Sequence, residues 1–302
     1  MRLGASGAKS RFAEFALAIV CLIWGSTFVL VKKALDDVSP ALFLAFRFSI
    51  AAVLLAVVFA IRRKSDSVVV WSGGILTGLF LFAGYLLQTI GLKFTTPAKS
   101  GFLTGLYIVL VPLLTALVYR RVPGISEWVG VLLATAGMGL MTLTSARLEM
   151  GLGDLLTVAC AGAFAVHILL LGHYAKRMPT EWLTLLQIGA CAIFAAISCR
   201  FVETPFVRWT PRVWVALSVT ACLATALAFL LQTWGQRYTT PTRAALIFSL
   251  EPVFAWLTSY VFEHEVLTRQ VLAGAGCILA GILLVELKPL QRGTQAFETS
   301  GN

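Results

Sequence analysis

The chain has 302 residues, 59% of them hydrophobic and only 13% charged, with a formal net charge of +10. A soluble domain of this size has no core large enough for that much apolar side chain, so lipid is the expected surrounding. The positive charge falls in short gaps between apolar stretches, where it writes membrane orientation rather than a nucleic-acid-binding face.

A span needs about 20 mostly apolar residues. Ten such segments follow one another at roughly 13–31, 41–61, 69–91, 99–118, 126–143, 153–171, 183–200, 212–233, 243–262 and 270–286. The first starts near Phe12 after Arg2, Lys9 and Arg11; its run is long and lacks a small-x-small cleavage pattern, so it reads as a retained helix. The second carries Arg47. The third and fourth hold the GxxxG pairs Gly74/Gly78 and Gly101/Gly105, which allow close helix contact. Pro112 in the fourth and Pro252 in the ninth are expected to break those helices. Gaps such as Asp36–Pro40, Arg62–Asp66, Arg120–Gly124 and Thr239–Pro241 supply the Pro and Gly that end helices.

No gap has room for a soluble catalytic or nucleotide-binding domain, and no GxxxxGK[ST] phosphate loop occurs. The six cysteines lie in or beside apolar segments without metal-ligand spacing. Arg62, Arg63, Lys64, Arg120, Arg121, Lys176 and Arg177 fall on one side of an alternating topology and give it the excess of Lys and Arg. The bias predicts both termini in the cytoplasm.

The most specific signal is self-similarity. Leu86–Pro97 returns as Leu230–Pro241, with eight of twelve positions identical at an offset of 144. The match continues through Lys99/Arg243, Leu106/Leu250, Gly130/Gly274 and Gly137/Gly281. Five predicted helices fit in the offset, and an odd number inverts the second copy in the membrane. Inverted repeats are a common plan of secondary transporters. The fold class is therefore an all-α integral membrane protein with two inverted five-helix repeats, 12–143 and 152–287, and a short polar tail, 288–302.

Trp24-Gly25, Phe46-Arg47-Phe48, the Thr-Thr-Pro-x-Lys/Arg entries to the fourth and ninth segments, and Ser249-Leu250-Glu251-Pro252 stand in an order that resembles the drug/metabolite transporter superfamily, specifically its EamA-type permeases. The resemblance covers about residues 12–287. It implies a central cavity bounded by helices 1, 3, 4, 6, 8 and 9, and export of amino acids, metabolites or drugs.

Polar groups in mid-span are costly and invite a functional question. Glu251 is the one carboxylate near the middle of a predicted span. It is a candidate for proton or cation coupling; the alternative is a structural role at the Pro252 break, as a cap or a partner of a neighbouring hydroxyl. Its repeat counterpart is Tyr107, and Phe248 is the counterpart of Thr104. Trp24 and Thr27 correspond at an offset of 140 to Phe164 and His167, and Gln88 at the offset of 144 to Gln232. Tyr85 shares a helix face with Gln88. These eleven residues are the candidate substrate pathway: a mostly apolar surface with a few placed polar groups. Interhelical packing is the alternative for each. Arg47, a turn or two inside the outer end of the second segment, reads as half of a structural ion pair, with Asp36, Asp37 or Glu149 as possible partners; the alternatives are attraction of an anionic substrate or snorkelling to the interface.

The function expected is a secondary transporter, more an exporter than an importer, in a bacterial-type plasma membrane. A passive channel and an intramembrane enzyme are the rivals; no converging nucleophile, base or metal ligands support the enzyme. Expected partners are a small-molecule substrate and the lipid bilayer, with no nucleic acid, cofactor or metal. Monomer and homodimer stay open.

Overall fold

The computed structural model describes residues 3–61, 70–95, 97–120, 122–142, 150–263 and 268–287. The gap Arg62–Asp66, the residues Arg2, Thr96, Arg121, Arg147, Glu149 and His264, and the tail 288–302 lie outside them. Among the described residues every regular element is helical, and the one β contact is an isolated bridge between Val38 and Val207.

In chain order the helices are α1 (Leu3–Gly25), α2 (Phe28–Ala34), α3 (Pro40–Ile61), α4 (Trp71–Phe94), α5 (Pro97–Gly105), α6 (Tyr107–Tyr119) and α7 (Ile125–Thr142). The second half holds α8 (Leu152–Tyr174), α9 (Thr180–Val202), α10 (Pro211–Ala221), a π segment (Cys222–Leu227), α11 (Ala228–Tyr238), α12 (Pro241–Phe248), α13 (Glu251–Glu263) and α14 (Arg269–Leu287). Thr240 and Pro241 start α12 for a physical reason: the Thr240 hydroxyl accepts the Arg243 N–H at 3.3 Å, and Pro241 needs no N–H partner at the first helical position.

Seven stretches among the described residues are long and apolar enough to cross a membrane; α7 and α14 supply two shorter apolar helices. Their outer faces agree with lipid. Val53 and Val57 on α3, Ile193, Ile197 and Phe201 on α9, and Leu117 on α6 are more than half exposed, an apolar surface that water does not tolerate over such an extent. This is an integral, multi-pass membrane protein.

Four expected helices are interrupted. The first predicted span is two helices, α1 and α2, separated by a turn in which both the N–H and the hydroxyl of Thr27 donate to Trp24 O. The fourth breaks at Leu106, not at Pro112, which sits inside α6. Leu106 N–H donates to Leu103 O, and Leu250 N–H donates to Ile247 O, so the two breaks use the same short-turn bond at positions 144 apart. The prolines are not in register, yet the breaks are. The eighth span, α10 to α11, contains the π segment; its counterpart α4 is continuous.

Repeat-related helices also pack in matched pairs. α7 and α14 run side by side and antiparallel. A Cβ at Gly130 meets Gly281 O at 2.8 Å and one at Gly137 meets Gly274 O at 2.5 Å, so only glycine permits this approach. Gly130 and Gly274 are repeat counterparts, as are Gly137 and Gly281. Of the predicted GxxxG pairs, Gly74 and Gly78 do press against Leu186 and Gln187 of α9, whereas Gly101 faces open space.

Candidate functional site

A cavity of about 70 Å³ lies between α1–α2, α4, α5–α6, α8, α11 and the α12–α13 break, room for several waters. It collects all eleven candidate residues: Trp24, Thr27, Tyr85, Gln88, Thr104, Tyr107, Phe164, His167, Gln232, Phe248 and Glu251. Arg47 joins them from α3. Phe28, Val31, Leu81, Thr89, Leu92, Ile168 and Phe229 complete the wall.

The helix interruptions place the polar groups. Tyr107 and Glu251 are the first residues after the two breaks, and both line the cavity. A carboxylate at the start of α13 also meets the positive end of that helix. Among the described residues Glu251's side chain has no hydrogen-bond or ion-pair partner, so the hydroxyl partner weighed from sequence is not there.

Arg47 is 3% exposed. Its Nε donates to Thr225 Oγ1 at 2.7 Å, and Nη2 donates to Ala224 O at 3.2 Å and to the Tyr85 hydroxyl at 3.4 Å. The guanidinium lies 4.7 Å from the centre of the Tyr85 ring and 5.5 Å from that of Phe48, a cation–π arrangement. The expected ion pair is not formed with Asp36 or Asp37, and the third expected partner, Glu149, lies outside the described residues. Asp37 is engaged elsewhere, accepting from the Thr210 hydroxyl, and among the described residues no carboxylate pairs with Arg47. Its charge is held by a carbonyl, two hydroxyls and two ring faces.

The π segment makes this possible. Ala228 N–H donates to Leu223 O, five residues back, rather than to Ala224 O. Ala224 O instead accepts from Arg47 and, at 2.9 Å, from Trp24 Nε1. One carbonyl thus ties α1 and α3 to the eighth span.

A second polar chain leads away from the cavity. Thr233 Oγ1 donates to Phe229 O at 2.7 Å, so it accepts from Gln187 Nε2 at 3.0 Å. Gln187 Oε1 is then the acceptor for His167 Nε2 at 2.9 Å. The chain fixes the proton of neutral His167 on Nε2 and leaves Nδ1 as its remaining acceptor. Gln88 Nε2 donates to Thr104 Oγ1 at 3.1 Å. Gln232 is 1% exposed, and among the described residues its Oε1 has no partner. The aromatic wall is continuous: Trp24 packs on Phe229 and Phe248 with ring centres 5.4 and 5.6 Å apart, and Tyr85 on Phe164 at 5.3 Å.

The wall is built from repeat counterparts: Trp24 with Phe164, Tyr85 with Phe229, Gln88 with Gln232, Thr104 with Phe248. The three groups that carry charge or a titrating proton break the match. Glu251 stands opposite Tyr107, His167 opposite Thr27, and Arg47 opposite Gln187. A symmetric frame therefore encloses an asymmetric, dipolar interior.

Sequence reasoning missed Gln187. Its signal was present in part: it is a polar residue on an otherwise apolar span, 140 positions from Arg47.

The sequence profile of the EamA-like transporter family matches this chain twice, over residues 11–143 and 151–287. A protein of Archaeoglobus fulgidus described as an uncharacterized transporter is 38% identical over 285 residues, covering 94% of this chain and 89% of that one. The uncharacterized transporter YvbV of Bacillus subtilis is 26% identical, covering 93% of both chains. A chloroplastic WAT1-related protein of Arabidopsis thaliana is 25% identical over 93% of this chain and 71% of its own length. A solved structure titled only as the crystal structure of a protein superposes with a TM-score of 0.78 at 21% identity, covering 92% of this chain and 97% of that one, and shares the fold.

Proposed function

This chain belongs to the EamA-like transporter family, and we propose that it works as a secondary transporter, exporting a small organic metabolite, amino acid or drug-like compound by alternating access. The observation that carries the reading is the central cavity. It sits where repeat-related helices meet, is walled by aromatic rings, and is lined by Glu251 and Arg47. A solute with both polar and apolar parts fits such a wall, and the broken helices beside it are a recurring feature of transporter sites.

On this reading the chain crosses the membrane ten times: the seven long stretches, α7, α14 and the α12–α13 pair. The antiparallel glycine contacts of α7 and α14 support an inverted relation between the repeats. The Lys and Arg distribution supports cytoplasmic termini in a bacterial-type plasma membrane. Glu251, without a partner in the wall, is the group assigned to proton or cation coupling.

The test is flux into proteoliposomes containing the purified full chain, with a radiolabelled panel of amino acids, amines, nucleosides and organic acids, with and without a pH gradient. Saturable flux of at least one class, dependent on Glu251 when driven by pH, is expected. Absence of flux for every class under both conditions counts against the transporter reading. Linear, unsaturable flux is the signature of a channel.

A further inference from the structure

Helix α1 belongs to the first repeat by sequence, yet it packs on α11, α12 and α13 of the second. Its counterpart α8 packs on α4, α5 and α6 of the first. The exchange is matched position by position. A Cβ at Gly91 of α4 meets Thr157 Oγ1 and Gly153 O of α8 within 3 Å, and one at Gly235 of α11 meets Leu17 and Ala13 O of α1 at 2.9 and 3.3 Å. Gly91 and Gly235 are 144 apart in sequence; Gly153 and Ala13, and Thr157 and Leu17, are 140 apart.

The ion pairs repeat in the same way. Lys99 Nζ meets Asp154 Oδ2 at 2.6 Å and joins α5 to α8. Arg243 Nη1 meets Glu14 Oε1 at 3.4 Å and joins α12 to α1. Lys99 and Arg243 are counterparts at 144, Asp154 and Glu14 at 140. Each pair fastens a helix of one repeat to the body of the other.

The contacts between these two bodies are not matched. At one end α6 packs along α12, and Gln236 Nε2 donates to Ile168 O at 3.2 Å. At the other end the counterparts α13 and α5 barely meet. Leu92 and Phe28, the counterparts of Gln236 and Ile168, both line the cavity there, and Lys32 Nζ from α2 reaches Leu92 O and Thr95 O. Contacts within the bodies obey the repeat; contacts between them are extensive at one end and, at the other, reduced to sparse α5–α13 packing and the Lys32 bonds from α2.

We infer that the units which move against each other in transport are not the two sequence repeats but two helix-exchanged bodies, α4–α5–α6–α8 and α1–α10–α11–α12–α13. Lys99–Asp154 and Arg243–Glu14 are the positioning pairs that hold each body together. The inference rests on the alternating-access reading above and says which surfaces slide: the cycle trades the α6–α12 contact for the α5–α13 contact.

The test is distance measurement between paired nitroxide labels on the full chain, its six cysteines replaced, in liposomes with and without the solute panel. Phe94/Leu152 reports within one body, Phe94/Val261 across the bodies at the same end, and Tyr119/Tyr238 across them at the other; all five positions are exposed. The expected result is one narrow, fixed distance for Phe94/Leu152. Both cross-body pairs should show two distances separated by about 5 Å or more, lengthening at one end as they shorten at the other. Leu155 replaces Leu152 if that variant misfolds. Asp154→Asn should broaden the within-body distance. A split Phe94/Leu152 distance beside a fixed Phe94/Val261 distance overturns the inference, as does a single unchanging distance for both cross-body pairs. If the distances behave as expected while no panel solute crosses, the transport reading fails and the division into bodies stands.

Discussion

Arg47 on α3 and Gln187 on α9 occupy corresponding places in the two repeats, 140 positions apart, and both are buried with their polar groups turned to the interior. Arg47 ties α3 to the π segment and to Tyr85; Gln187 ties α9 to His167 and Thr233. The same framework position thus anchors a fixed cation on one side and a neutral relay on the other.

Replacing Arg47 tests the cation. Lysine keeps the charge but not the planar fork that reaches Thr225, Ala224 O and Tyr85 together. Arg47→Lys should lose flux by about tenfold or more, and Arg47→Ala should also lower the thermal unfolding midpoint in detergent, since hydrogen bonds to charged groups contribute roughly 1.5–3 kcal/mol each. An Arg47→Lys protein with unchanged flux and midpoint contradicts this account.

Gln187→Leu removes the link between His167 and Thr233. The His167 Nε2–H then lacks a partner, at a cost of about 1–3 kcal/mol, while Thr233 keeps its bond to Phe229 O. The variant should melt at a lower temperature than the parent. Gln187→Glu, which retains an acceptor for His167 Nε2, should shift the pH profile of transport. Identical melting of Gln187→Leu and parent speaks against the chain of bonds.

For Glu251 the expectation runs the other way. It has no partner in the wall, so Glu251→Gln removes a costly, half-buried carboxylate from the cavity and breaks no bond. Stability should hold within about 0.5 kcal/mol or improve. Flux driven by a pH gradient should fall by about tenfold or more, while exchange without a gradient survives. A strongly destabilised Glu251→Gln protein would show a structural role instead.

The two ion pairs differ in strength. Asp154 also accepts from Thr95 Oγ1 at 2.8 Å and from Gly151 N at 2.9 Å. Glu14 has Arg243 at 3.4 Å and Ser10 Oγ at 3.1 Å. Asp154→Ala should cost about 2–3 kcal/mol and Glu14→Ala about 1 kcal/mol or less, read as shifts in unfolding midpoint. The reverse ranking contradicts the geometry.

Much of this was legible in the sequence because the repeat acts twice. Leu86–Pro97 and Leu230–Pro241 identify the related spans, and counterparts of a polar residue on one span locate a residue on another; that is how His167 and Gln232 come to light, and how Glu251, marked first as the one mid-span carboxylate, acquires Tyr107 as its counterpart. The break in the first span was half visible, since Gly25 precedes it. The π segment was not, because Cys222–Leu227 is made of residues equally suited to an α-helix, and only the demand of Arg47 and Trp24 for one carbonyl reveals it. Pro112 misled: its ring fits within α6, while the break falls at Leu106 beside the cavity. The exchange of α1 and α8 was hidden because packing partners depend on three-dimensional contact, not on the order of spans.

The most direct measurement is solute counterflow. Proteoliposomes preloaded with a transported solute, then diluted into a trace of the labelled form, should accumulate label transiently above equilibrium, because a carrier that alternates its access returns faster when loaded. Flux that never exceeds equilibrium and rises linearly with concentration would contradict alternating access.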